Sequence, residues 1–225
     1  MAGPGNAWVT AGAVAGLLAA VGDLAVPFAV ATGYPGYRHL RQAVSDLGAV
    51  GSPVAHWMNG WWVVFGVLVL GFAAAVAWTF RAAGPAAWVI AAQIACLGLF
   101  AGIGTALFPL DAAGPGVSLS TRLHNLCGGL GFLPVLFAPA ASLLLFTPAR
   151  APVLFWVCVA TQGIGLLIAA MFLGLDRALL PSARPSLFGL WQRAFLANLY
   201  VYLSALAASM LSADGGRWGQ ILISD

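Results

Sequence analysis

The chain has 225 residues, 62% of them hydrophobic and 7% charged, with a mean hydropathy of +0.97 and a formal net charge of +3. A soluble domain carries about 25% charged residues to cover its surface, so this composition excludes an ordinary soluble enzyme or scaffold and makes lipid the main solvent. The positive charge is all arginine, scattered along the chain rather than clustered, which excludes a nucleic-acid footprint.

Unbroken apolar runs long enough to cross a bilayer predict an all-α integral membrane protein, a bundle of six transmembrane helices forming one transmembrane domain over residues 1–225. Span one covers about residues 7–31, and the N-terminus before it lacks the basic n-region of a cleavable signal. Asp23 interrupts this span, and an ionisable group at that depth is expensive enough to face the protein interior or a wet cavity. The following break, Tyr34 to Asn59, gathers Arg38, His39, Arg41, Ser45, Asp46 and His56. Within it, Leu40, Val44 and Leu47 at helical spacing predict a short interfacial helix, with Arg38 and Arg41 reaching toward headgroups. Span two is expected at about 56–80, opening on an interfacial belt of Trp57, Trp61 and Trp62.

Span three is expected at about 85–108, where Gly98, Gly102 and Gly104 offer a close-packing face. A second polar break, Pro109 to Asn125, carries Asp111, Arg122 and His124, with Ser118 to Thr121 placed to cap the next helix. Span four is expected at about 124–146 and is again rich in glycine, at Gly128, Gly129 and Gly131. Spans five and six are expected at about 152–175 and 187–211, the latter carrying Gln192, Arg193 and Asn198. Loops after spans one, three and five are therefore long and polar, whereas those after spans two and four are turns. More arginines lie on the long-loop side, among them Arg177 and Arg184, than on the short-turn side, where Arg217 is counted. Cys96, Cys127 and Cys158 sit inside apolar runs and read as packing residues.

Ranked by depth, the polar groups crowd toward one end. Asp23 lies about 8 residues, or ~12 Å, from the long-loop end of span one, and Arg193 about 6 residues, or ~9 Å, from the same end of span six. Asn59 and His124 fall near that end too, while Gln93 and Gln162 belong to the other half. A polar cavity opening toward the long loops is expected, with Asp23 and Arg193 paired across it, or with Arg193 awaiting an anionic head group. Asp111 beside His124 would make an acid/base couple, the alternative being a loop-bonded histidine and a capping carboxylate. Ser45-Asp46 would be either a turn pair or part of the site, and no nucleophile elbow surrounds Ser45. The candidate set is Asp46, Asp111 and His124 for catalysis, and Ser45, Asn59, Arg122, Asn125, Arg193 and Asp23 for substrate binding. The histidines lack the paired helical spacing of a metal site, and neither a metal nor another cofactor is expected.

An ordered set of short motifs carries a resemblance over nearly the whole chain. Gly36-Tyr37, Ser45-Asp46-Leu47-Gly48-Ala49, Ser52-Pro53 and Asn59 come first; Phe108-Pro109 with Asp111, then His124-Asn125, then Gly189-Leu190-Trp191-Gln192-Arg193 follow. This set resembles the bacterial six-span membrane family catalogued as domain of unknown function 998. More distantly, Ser45, Asp46, Gly48 and His124 are similar to a pattern in the Frag1/DRAM/Sfk1 membrane proteins, which are linked with lipid organisation. The resemblance implies a multi-pass protein of the bacterial plasma membrane and a motif map, without a reaction.

Two functions compete at this point. One is handling or modifying a membrane lipid or isoprenoid by acid/base chemistry in the polar pocket. The other is a non-catalytic accessory subunit of a membrane complex, whose partner protein would pack on the glycine-rich faces of spans three and four. A transporter is the weaker reading, for want of an inverted repeat and a midplane ion site.

Overall fold

In the computed structural model, residues 4–111, 117–175, 187–212 and 218 are described, and they form helices and turns. Six helices are long and apolar enough to cross a membrane: Ala7–Ala31, Ala55–Thr79, Pro85–Leu107, Leu119–Ser142, Pro152–Leu175 and Phe188–Leu211. The protein is an integral, multi-pass, all-α bundle of six spans. Arg177, Arg184 and Arg217 lie outside the described residues.

The spans pack in chain order around a ring. Span one lies against spans two and six, span three between spans two and four, and span five against span six. The ring is tight where glycines allow it. A Cβ on Gly66 of span two would sit 2.5 Å from the carbonyl oxygen of Gly98, and one on Gly102 would sit 2.8 Å from Gly66 Cα. These are backbone-to-backbone approaches, which small residues at a four-residue interval permit. Span four joins from the other side, since a Cβ on Gly131 would meet the backbone nitrogen of Ala101 at 2.5 Å. The glycine face of span three is thus consumed inside the chain and is not left for a partner protein. Gly128 and Gly129 are different: added Cβ atoms there would meet nothing within 4 Å.

Spans three and four both depart from regular α-helix, and the departures shape the interior. Span three is α-helical to Cys96, widens into a π-helical stretch over Leu97–Gly104, and closes with one turn, Thr105–Leu107. The Thr105 hydroxyl donates to the carbonyls of Ala101 at 2.6 Å and Gly102 at 3.1 Å, serving acceptors in the widened ladder. Span four runs Leu119–Leu136, breaks around Pro134 and Phe137, and resumes as Ala138–Ser142 with Pro139 in its first turn. Proline lacks the N–H an interior turn needs and is tolerated at a helix start. Beyond the break, Ala140 N–H is taken by Gln162 Oε1 of span five at 3.0 Å. Span four therefore meets span five mainly through Ala138–Ser142, while its other half follows span three. The resulting divergence opens toward the long loops. At the opposite end Phe80, Phe146 and Trp218 pack ring against ring, with centroids 5.5–5.6 Å apart, and seal the bundle.

Three expectations change here. Span four begins at Leu119, so His124 lies in its second turn rather than at its start. Of the three tryptophans, only Trp57 is an exposed belt residue; Trp62 is buried and Trp61 half-buried, because 58, 62, 65 and 69 form the inward face of the helix. The expected interfacial helix is instead a set of turns ending in a short 3-10 helix, Val44–Gly48. Its backbone acceptors are claimed by side chains from elsewhere. Arg193 of span six donates to the carbonyls of His39 at 2.6 Å and Gln42 at 3.1 Å, and Tyr37 OH donates to Ala43 O at 2.6 Å. Leu47 is consequently fully buried, and the loop caps the bundle instead of floating on the membrane.

Candidate functional site

The divergence of span four leaves a cavity of about 460 Å³ at the long-loop end of the bundle. Its polar lining comes from Asp23, Ser45, Thr105, His124, Asn125, Gln192 and Tyr200. The rest is apolar or aromatic, with Trp62, Phe65, Phe132 and Phe195 among the rings. Its size is that of a pocket for a small organic molecule. Gly128 and Gly129 line it on span four, where the absence of side chains leaves room.

Asp23 is 5% exposed and accepts two hydrogen bonds, from Trp61 Nε1–H at 2.8 Å and from the Tyr200 hydroxyl at 2.5 Å. Gly22 makes the first possible, since a Cβ there would collide with the Trp61 ring. The expected pair with Arg193 is not formed. Arg193 Nη1 donates to His39 O, Gln42 O and, at 3.0 Å, Gly189 O, while Nη2 donates to Tyr37 OH at 2.7 Å. The guanidinium thus stands over the loop, and Tyr200, two turns further along span six, supplies the donor to Asp23. Matching depth placed both charges at one level but said nothing of their direction around the helix.

His124 is 7% exposed, and its Nδ1 faces two carbonyl oxygens, Phe108 at 2.8 Å and Thr105 at 3.2 Å. Both partners are acceptors, so Nδ1 carries the hydrogen, and in the neutral ring the other nitrogen keeps its lone pair. The imidazole is oriented by the backbone of span three. It is the only histidine among the described residues that line the cavity, and an imidazole there can take a proton from a bound molecule.

The structure gives Asp111 other partners. Its carboxylate accepts from Ser118 N–H at 2.8 Å and its backbone N–H donates to Thr121 Oγ1 at 2.8 Å, while Ser118 Oγ caps span four by accepting from Thr121 N–H at 3.2 Å. It neither lines the cavity nor bonds to His124, so the acid/base couple is not assembled. Hydrogen bonds from Ser118, and then Thr121, hold the Asp111 carboxyl below the usual carboxylate value. A lowered value contributes stability above the unfolded pKa, ~4, and loses it as pH falls through the folded one. Asp111→Asn is therefore expected to lower the thermal midpoint slightly at pH 7, with the difference from wild type fading in acid. Equal midpoints at pH 7 would remove the capping role.

The remaining candidates divide. Ser45 and Asn125 line the cavity. Asp46 turns back to accept from Ala43 N–H at 3.0 Å; burial pushes its carboxyl above the usual value, with that bond and the Arg193 charge working the other way. Asn59 donates to Gly48 O at 3.0 Å and fastens the loop to span two, and Arg122 is exposed. Three residues that reasoning from sequence left out of the site belong with it. Tyr200 and Thr105 line the cavity, and Gln192 both lines it and accepts from Val44 N–H at 2.7 Å. Residues 192, 196, 200 and 203 share one face of span six, so a helical-period reading from Gln192 leads to Tyr200. Among the described residues, no three of His, Cys, Asp and Glu come together to hold a metal ion.

A family model described as "Protein of unknown function (DUF998)" matches residues 7–209. No curated protein and no solved structure matches the chain.

Proposed function

The chain belongs to the DUF998 family, whose function is unknown, and from that premise we propose that it handles or modifies a membrane lipid or isoprenoid by acid/base chemistry in the long-loop cavity. The observation that carries this reading is His124, whose Nδ1–H is held by Phe108 O at 2.8 Å while the ring lines a cavity it shares with Asp23 and Tyr200. An amphiphile suits such a space. Its chain would lie along the apolar wall of span four, entering where spans four and five diverge, and its head would reach the polar end. There His124 accepts a proton, and Ser45, Asn125 and Gln192 orient the head group. Asp46, Asp111, Asn59 and Arg193 act by positioning the loop and span four around that end. Composition and the motif map support the bacterial plasma membrane as its location.

The test is purification of the full chain in mild detergent, with copurifying lipid identified by mass spectrometry and total membrane lipid offered as substrate. Wild type is expected to carry or convert a defined amphiphile. His124→Gln is expected to keep the same thermal midpoint and lose conversion by about 100-fold or more, the usual size of a general acid/base contribution. A folded His124→Gln protein with unchanged conversion would sink the assignment. A stoichiometric protein partner with no bound lipid would favour the accessory-subunit reading instead.

A further inference from the structure

We propose that the head group selected by this cavity is cationic: an ammonium-bearing amphiphile rather than a phosphate or diphosphate ester. The inference rests on the reading of the cavity as an amphiphile site and adds the sign of the charge.

Asp23 is the only carboxyl among the described residues that line the cavity, and no arginine lines it. Its partners, Trp61 and Tyr200, are neutral donors. Each carboxyl oxygen accepts one hydrogen bond in this arrangement and keeps a further lone pair. A carboxylate taken into an apolar span without a counter-charge costs several kcal/mol, and a bound cation offsets that cost. The arginine best placed to supply the charge is committed elsewhere. Arg193 spends its Nη atoms on three carbonyls and the Tyr37 hydroxyl, and its guanidinium stands 5.7–5.8 Å from the Tyr37 and Phe28 ring centres, outside the cavity.

The other wall speaks for the same sign. Phe132 of span four and Phe195 of span six meet edge to face at 5.8 Å, and Phe65 and Tyr200 meet at 6.1 Å, so aromatic rings line the cavity that holds the carboxyl. Aromatic faces attract ammonium groups by ~2 kcal/mol or more once water is excluded. An anionic head would find the reverse. It would face Asp23 with no guanidinium to receive it, whereas phosphate sites characteristically use arginine forks.

The experiment uses the full chain in lipid nanodiscs and three probes sharing a twelve-carbon tail: dodecyltrimethylammonium, dodecanol and dodecyl phosphate, with empty nanodiscs subtracting partition into lipid. Binding is read by tryptophan fluorescence. The ammonium probe is expected to bind at least about tenfold tighter than the alcohol, and the phosphate more weakly than either. Asp23→Asn is expected to erase the ammonium preference, bringing the ammonium and alcohol probes to comparable affinity. Should Asp23→Asn not fold, Phe132→Leu takes its place, and an ammonium preference that survives it overturns the proposal. Equal binding of the three probes, or tightest binding of the phosphate, overturns the charge assignment and leaves the amphiphile reading standing. Binding of none of them removes both.

Discussion

Arg193→Ala will release the loop between spans one and two from the bundle and lower the thermal midpoint by roughly 6–12 °C. One guanidinium donates to the carbonyls of His39, Gln42 and Gly189 and to the Tyr37 hydroxyl, so alanine leaves several half-buried acceptors without partners. Hydrogen bonds to a charged group contribute about 1.5–3 kcal/mol. Partial exposure reduces the sum, and a net loss of about 3 kcal/mol converts at about 2–4 °C per kcal/mol for a chain of this length. Arg193→Lys is expected to recover little, because an ammonium cannot serve the fork of acceptors at once. Gly189→Ala tests the same latch with no change in charge. A Cβ there would collide with the carbonyl oxygens of Gln42 and His39, which are backbone atoms and cannot swing away. Thermal unfolding in detergent, with protease access to residues 36–48 as a second readout, measures both. An Arg193→Ala protein that melts with wild type would show that the loop is held by Gln192, Asn59 and Leu47 alone.

Gly98→Leu will force spans two and three apart. Even a Cβ at Gly98 would lie 2.7 Å from the carbonyl oxygen of Gly66, and a leucine adds three more carbons in the same direction. Overpacking at a site that can yield costs about 1–3 kcal/mol, and two backbones in contact yield less than side chains do. The loss is expected to be at least about 3 kcal/mol, seen as poor recovery of monodisperse protein from membranes. The effect should extend to the cavity. Gly98 lies at the start of the widened stretch, Leu97–Gly104, that leads to Thr105 and Phe108, whose carbonyls hold His124 Nδ1. Gly71→Leu is the control, since nothing lies within 4 Å of a Cβ at Gly71. If Gly98→Leu and Gly71→Leu are recovered equally well, close packing of spans two and three is not what holds them.

The short motifs of the chain acquire a physical meaning from the latch. Gly189 gives the loop backbone room, Gln192 accepts from Val44 N–H, and Arg193 gathers the carbonyls of His39 and Gln42. On the other side Ser52 Oγ donates to Leu47 O at 2.7 Å, and Val50 N–H donates to Leu110 O at 2.8 Å, bringing the two polar breaks together. Most of these residues therefore build the lid of the cavity. Ser45, Asn125, His124 and Gln192 are the motif positions that reach its interior.

Span positions were legible because transfer into lipid acts residue by residue along the chain, so length and hydropathy suffice to find each crossing. Five spans end within a residue of where the apolar runs place them, and span four starts five residues earlier, at Leu119, because Ser118 and Asp111 cap it. Depth was legible too, since a residue's distance from a span end is a matter of rise per residue. Direction was not. Whether Asp23 meets Arg193 or Tyr200, whether His124 turns to Asp111 or to the carbonyls of span three, and whether Trp62 faces lipid or cavity all depend on the rotation of one helix against another. That rotation is set by where glycines let backbones touch and where Pro134 parts spans four and five, through contacts between residues far apart in the chain. Composition and periodicity thus determined a six-span bundle with its polar groups at one end, and tertiary packing alone decided which of them share the cavity.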